Sequence, residues 1–345
     1  MSVIVEQVME QNLSEGVKKN HPLRPFVFRK ALSFFIAFVF CDCLLAEEIK
    51  NTDSNGVFIY DNLINTAVCD IESIKLKQAL YKTDAQKAKY NQVSVSKKSP
   101  ETIIPSSEKI EEIGFNLIET TPHNTDAYTQ GLVYYRNHLY ESTGGLGLSD
   151  IRKIDLATGR VIKFKALPDK YFAEGITLVG NRLIQLTLKK NTALVYDINS
   201  LELLDQFEFS GDGWGVVKIN NNLLLSDGSS VLRRVNLENY QLQEERQVTV
   251  NGIELEGINE MEIINGMIYA NIWPTDCIAI IDPEEYRVVA WLNLTGLYPE
   301  DKRLNSSSVL NGIAYEPSQH KLMVTGKNWP YIFHLSLNEF PINFR

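Results

Sequence analysis

One pattern of apolar and polar positions recurs five times in the last two-thirds of the chain. A polar or aromatic residue is followed by Gly or Glu and then a short apolar run, with a turn residue seven positions after the start. Gln130-Gly131-Leu132-Val133 opens the first copy, with Asn137 at the turn. Glu174-Gly175-Ile176-Thr177 with Asn181, Trp214-Gly215-Val216-Val217 with Asn221, and Asn259-Glu260-Met261-Glu262 with Gly266 follow. Asn311-Gly312-Ile313-Ala314 is the last, its turn stretched by two residues around Pro317-Ser318. The starts lie 44, 40, 45 and 52 residues apart, the spacing of propeller blades. A second apolar strand follows each turn, from Leu139-Tyr140 in the first copy to Leu322-Met323 in the last. Five copies predict an all-β, five-bladed β-propeller.

After the last phrase only three strands remain, so a blade of four needs a partner from elsewhere. The alternating stretch 114–120 (GFNLIET) can supply it and close the ring without an open edge. Closure predicts that Phe115 and Leu117 or Ile118 are buried against the last blade. Asp155, Asp197 and Asp282 recur before outer turns, where a carboxylate accepts backbone N–H groups.

The front of the chain has a different texture. Lys18, Lys19, Arg24, Arg29 and Lys30 precede the apolar stretch 31–41, which Asp42 ends before Leu44, Leu45 and Ala46. This reads as a signal peptide cleaved after Ala46, with an uncleaved N-terminal membrane anchor as the alternative. The expected location is therefore exported, periplasmic or secreted. Residues 47–110 form an extension and linker, partly helical or disordered, whose bland reading is a spacer. Ile64 to about Tyr90 can hold a helix, with Val68, Ile71, Ile74, Leu76 and Leu80 on its apolar face. Residues 111–345 are the propeller domain. Cys69 and Cys277 lie in different segments and are expected as unlinked thiols, although an exported protein tolerates a disulfide.

Chemistry enters with the first residue of each phrase. Gln130, Glu174, Trp214, Asn259 and Asn311 fall at the same end of the innermost strands and form one ring at the channel mouth. A carboxylate, three amides and an indole make a poor core and a good site. Glu174 is the one carboxylate at a ring position, and a partly desolvated carboxylate there can shuttle a proton near neutral pH. A salt-bridged Glu, or one ligand of a structural cation, fits the spacing equally. The amides can donate N–H to a developing oxyanion or satisfy the backbone where strands begin. Trp214 is flanked by glycines and Trp273 is followed by Pro274; both fit inter-blade packing or a ligand-facing wall. Lys327 ends the second strand of the last copy, away from the ring unless its loop folds back. Glu260 and Glu262 share a strand face, and one of them can hold Lys327 or a cation.

Other classes are excluded or left without support. A net charge of −9 argues against nucleic acid and anionic membrane surfaces as partners. The five histidines are scattered, without the paired spacing of a catalytic zinc site, and no P-loop, dinucleotide fingerprint or G-x-S-x-G occurs.

The stretches 128–132 (YTQGL), 140–144 (YESTG), 174–177 (EGIT), 212–215 (DGWG), 226–230 (SDGSS), 259–262 (NEME), 270–273 (ANIW), 275–279 (TDCIA), 309–314 (VLNGIA) and 325–330 (TGKNWP) run in order through the repeats. Together they resemble the plant and bacterial glutaminyl cyclases, or glutamine cyclotransferases. The resemblance covers about 113–340. It implies a five-bladed propeller that turns the N-terminal glutamine of a peptide or protein into pyroglutamate with loss of ammonia. It implies no metal or other cofactor for catalysis; a structural cation such as calcium in the central channel stays compatible with it. Carried over by position, Glu174, Lys327 and Asn259 become the catalytic set, and Gln130, Trp214, Trp273 and Asn311 the substrate-binding one. The family's usual Gln-Leu-Thr-Trp-Lys reads QLTLK at 185–189, so Leu188 removes an aromatic face. A non-catalytic peptide-binding propeller that has diverged from the cyclases therefore stays open, as does a metal-dependent lactonase. A monomer is expected.

Overall fold

In the computed structural model, residues 69–87 and 109–338 are described; the stretch expected as a signal peptide or anchor and most of the expected linker fall outside them. Among the described residues the strands form five sheets. The first runs Thr129–Tyr135, His138–Thr143, Asp150–Asp155 and Val161–Ala166 as an antiparallel meander. The second, from Ala173–Val179 to Leu203–Glu208, and the third, from Val216–Ile219 to Leu242–Gln247, repeat it. Each recurring phrase leads into the innermost strand of its sheet. These inner strands touch one another in cyclic order, fifth back to first. The result is an all-β, propeller-like fold.

The expected five-bladed propeller stands only as a propeller-like fold, because four sheets have four strands each and the sheet of the fourth phrase departs from that form. The meander from Ile258–Ile264 to Arg287–Asn293 is extended to seven strands by Thr249–Val250, Ile253–Glu254 and Glu111–Glu112. The outer strand's free edge explains this, because Glu111 and Glu112 pair in parallel with Ala290 and Trp291.

Phe115–Pro122 pairs with Tyr331–Leu337 and completes the fifth sheet. It is not buried as expected: Leu117 and Ile118 are about half exposed, at 50% and 51%, and Phe115 is only partly covered. The strand that closes the ring is the outermost of its sheet, so solvent takes the faces that an inner strand would bury.

The axis is tight. A Cβ at Gly175 would stand 2.8 Å from Gly215 Cα, and one at Gly215 would stand 2.0 Å from the Asn259 carbonyl oxygen. The phrase needs glycine there because neighbouring inner strands meet backbone to backbone. Glu260 takes that position in the fourth copy and bridges the axis, accepting from Leu132 N–H at 3.3 Å and Ile313 N–H at 2.8 Å. At the outer turns Asp155, Asp197 and Asp282 accept backbone N–H groups at 2.8–3.1 Å.

The helix Ile71–Lys87 precedes the sheets. Asp70 caps it by accepting from Ser73 N–H at 2.8 Å, and Glu72 adds negative charge to its first turn. The buried face runs through Ile71, Ile74 and Gln78, while Leu76 and Leu80 of the expected face point outward. Cys69 and Cys277 are joined as a disulfide, with Cα atoms 5.7 Å apart. The expectation of unlinked thiols fails because the start of the helix docks beside the strand Cys277–Asp282, where Cys69, Ile71 and Ile74 share a core with Cys277 and Ala279.

Candidate active site

Four of the ring residues sit in β-bulges. The register between first and second strands slips between Thr129 and Gly131, Ala173 and Ile176, Ile258 and Met261, and Leu310 and Ile313. Gln130, Glu174, Asn259 and Asn311 fall within these slips. A bulge re-aims a side chain that strict alternation would assign to one face. Trp214 stands two residues before the start of its shorter strand Val216–Ile219. All five ring residues are buried, and Glu174 is only 2% exposed.

A second tier comes from the ends of the second strands. Gly144, Leu188, Trp273 and Lys327 each donate their backbone N–H to the residue two before the ring position: Tyr128, Phe172, Gly257 and Val309, at 2.8–2.9 Å. Lys327 therefore lies at the mouth, which corrects its expected remoteness. In an antiparallel pair the end of one strand meets the start of the other, and here Leu310 opposes Gly326. No fold-back is needed.

The two tiers enclose an aromatic shell of Phe172, Leu188, Trp214, Trp273 and Val309, with Tyr81 and Tyr128 packed against it. Trp214 and Trp273 meet edge to face with centroids 5.9 Å apart, and Tyr128 meets Phe172 likewise at 6.4 Å. The Lys327 ammonium lies 4.8 Å from the centre of the Tyr128 ring, a cation–π contact. Trp214 Nε1 and Gln130 Nε2 are buried donors without a hydrogen-bond acceptor in the protein, and Asn259 Oδ1 and Asn311 Oδ1 are buried acceptors without a donor. The Asn311 amide donates to Thr129 O at 3.0 Å and to Gln130 Oε1 at 3.2 Å, which fixes the Gln130 amide.

Electrostatics single out one pair. Burial pushes the Glu174 carboxyl well above the usual carboxylate range; the Lys327 charge works against that and Asp212 adds to it. Burial brings the Lys327 ammonium down to about 8, with Glu174 opposing. A carboxyl raised by burial and an ammonium lowered by it, beside unpaired N–H donors and aromatic walls, are a pair able to move protons on a bound polar group.

Among the described residues no group of three or more His, Cys, Asp or Glu is gathered for a metal ion. Neither Glu260 nor Glu262 is the electrostatic partner of Lys327, which is Glu174. Ser226 is structural: its hydroxyl accepts from Gly215 N–H at 2.8 Å and donates to Asn259 O at 2.7 Å.

The family model for glutamine cyclotransferase matches residues 86–337. The chain belongs to the glutamine cyclotransferase family. It is 38% identical over 239 residues to a glutaminyl-peptide cyclotransferase of Arabidopsis thaliana, covering 68% of this chain and 73% of that one. It also resembles the crystal structure of Myxococcus xanthus glutaminyl cyclase at 33% identity, with a TM-score of 0.63 over 66% of this chain and 98% of that one.

In this member of the family, several site residues escaped the pattern analysis. Tyr128, Phe172 and Val309 stand two positions before ring residues, so aligning the five phrases at that offset would have found them. Nothing local marks Tyr81, which arrives from outside the repeats. A buried network behind Lys327 was also unseen. His123 Nδ1 lies 2.8 Å from Trp329 O, and its Nε2 lies 3.0 Å from Glu141 Oε1, which also accepts from Thr129 Oγ1 at 2.6 Å. Trp329 closes the loop by donating Nε1–H to Ser308 O at 2.9 Å. The network ties the 326–330 loop to the first sheet and holds Lys327 in place.

Proposed function

We propose that this chain is a glutaminyl-peptide cyclotransferase that closes the N-terminal glutamine of peptides or proteins into pyroglutamate and releases ammonia. The observation that carries the reading is the buried Glu174 carboxyl, coupled to Lys327 inside an aromatic shell. The α-amine nitrogen attacks the γ-carboxamide carbon of its own residue, and a five-membered ring closes. Glu174 takes the proton that the amine gives up and delivers one to the departing nitrogen, so the C–N bond to ammonia breaks with no net proton change. Such acid–base help contributes roughly 10²–10⁴-fold. The ammonium of Lys327 and the unpaired N–H groups of Gln130 and Trp214 are available to the tetrahedral oxyanion. Trp214, Trp273 and Phe172 exclude water and keep the glutamine side chain folded back. Asn259 and Asn311 offer acceptors for the substrate's N–H groups.

Each of the five sheets serves as one blade in this reading, the seven-stranded sheet being the fourth. The disulfide supports an exported protein, since such bonds persist in oxidising compartments. The test is ammonia release from a short Gln-initiated peptide by the full chain, with and without EDTA. Release in both, with pyroglutamate as product, is the expected outcome. A folded protein that binds the peptide without releasing ammonia would establish the diverged binding module instead, and loss of release with EDTA would require a metal.

A further inference from the structure

The helix Ile71–Lys87 lies almost wholly before the segment that the family model matches, which begins at residue 86. It is nevertheless built into the site. Cys69, two residues before its start, joins it to the fourth sheet through the disulfide with Cys277. Gln78, 3% exposed, donates Nε2–H to Glu256 O and Trp273 O, both at 3.0 Å. Lys77 pairs with Glu300 at 2.5 Å and Lys82 with Glu256 at 3.6 Å. These contacts set both the rotation and the depth of the helix. Tyr81 is three residues beyond Gln78 and so shares its face. Its ring meets Trp273 edge to face at a centroid distance of 4.7 Å, and Trp273 meets Trp214 in turn. Tyr81 thus extends the row of site aromatics by one ring; burial raises the Tyr128 phenol, and the nearby Tyr81 phenol adds to that shift.

Depth decides what this ring can touch. Glu174, Lys327 and the ring amides are almost fully buried, whereas Tyr81, like Tyr128, is half-buried. A glutamine whose γ-carbonyl reaches Glu174 must lead its following residue out past the outermost aromatic ring. We propose that Tyr81 is a substrate-positioning residue, contributed from outside the repeats, against which the peptide unit and side chain after the reacting glutamine pack. The helix that carries it is a fixed wall of the entrance. The inference rests on the cyclotransferase reading above.

The test compares two substrates in the full-length protein: a Gln-initiated tripeptide and glutamine amide, which has no following residue. Tyr81→Ala should raise KM for the tripeptide about tenfold, the size of one lost aromatic contact, with kcat within about twofold. KM for glutamine amide should stay unchanged. Tyr81→Phe should keep the parent values, because the ring and not the hydroxyl makes the contact. Cys69→Ser, which loosens the helix without touching the pocket, should reproduce the tripeptide-selective rise. Equal effects on both substrates, no effect on either, or a gain in kcat/KM from Tyr81→Ala would each overturn the assignment, the last marking the ring as an obstruction. No turnover of either substrate by the parent protein would sink the cyclotransferase reading along with it.

Discussion

The mouth and the channel each hold a buried carboxyl that desolvation pushes well above the usual range, Glu174 in the first and Glu260 in the second. Their surroundings separate them. Both Glu260 oxygens accept backbone N–H groups from inner strands on other sheets, and the side chain that adds to its rise is another carboxyl, Glu262. Glu174 faces an ammonium, an aromatic shell and unpaired amide groups. Burial by itself raises a pKa, and only the partners decide whether the proton is structural or free to move. The channel carboxyl ties the ring of strands together; in the proposed function the mouth carboxyl is the one available to substrate.

The sharpest break between the two is a matched pair of substitutions. Glu174→Gln should lower kcat by roughly 10²–10⁴-fold while leaving the urea midpoint near that of the parent. Glu260→Gln should do the reverse. It keeps turnover within a few fold but costs about 1–3 kcal/mol, because the new amide turns N–H toward backbone donors that need an acceptor. Steady-state ammonia release and urea denaturation of both variants decide it, and a stable but inactive Glu260→Gln would erase the distinction.

Lys327→Met should cost roughly 10²-fold in kcat/KM, the scale of one lost oxyanion donor, and should also change the pH profile. Glu174 must be ionised to accept a proton, so the rate rises with pH through its elevated pKa. It then falls as Lys327 loses its charge near about 8. Without the ammonium that favours ionised Glu174, the acid limb should move to higher pH and the limb near 8 should disappear. An unshifted acid limb would show that the two groups are not coupled.

The smallest effect sharpens the channel side. Burial raises Glu262 from 4.5 to about 8. The folded protein therefore holds this proton more tightly than the unfolded chain. The resulting stability is complete below about pH 4.5 and is lost as pH rises through about 8. Glu262→Gln should remove that dependence. At pH 9 the variant should exceed the parent by about 1–2 kcal/mol, allowing for solvent in the channel. Denaturation series at pH 5 and pH 9 measure it, and parallel losses in both proteins would refute the assignment.

What could be read in the chain and what could not divide along a physical line. The recurring phrase and its spacing made the β repeat, the inner strands, the acidic turns and the ring set of Gln130, Glu174, Trp214, Asn259 and Asn311 legible, because alternation and turn chemistry are local properties. The resemblance added the family and placed Lys327 and Trp273 at the site. Several expectations failed, most of them where a partner lies far away in sequence. The closing strand left Leu117 and Ile118 in solvent, since the strand that completes a sheet also ends it. The helix buried Gln78 and turned Leu76 outward, since its docking surface, and not its own apolar stripe, selected the face. Cys69 found Cys277 across 208 residues. Lys327 proved near the ring because the register pairs strand ends, which no count along the chain displays. By itself the sequence determined the repeat, the residue types at the mouth and the family. Only the tertiary structure decided which carboxyl is tied to backbone, which is coupled to an ammonium, and that a tyrosine from outside the repeats stands at the entrance. Local pattern fixes which face a residue presents to its own strand, while burial, charge coupling and access depend on neighbours that folding alone brings within a few ångströms.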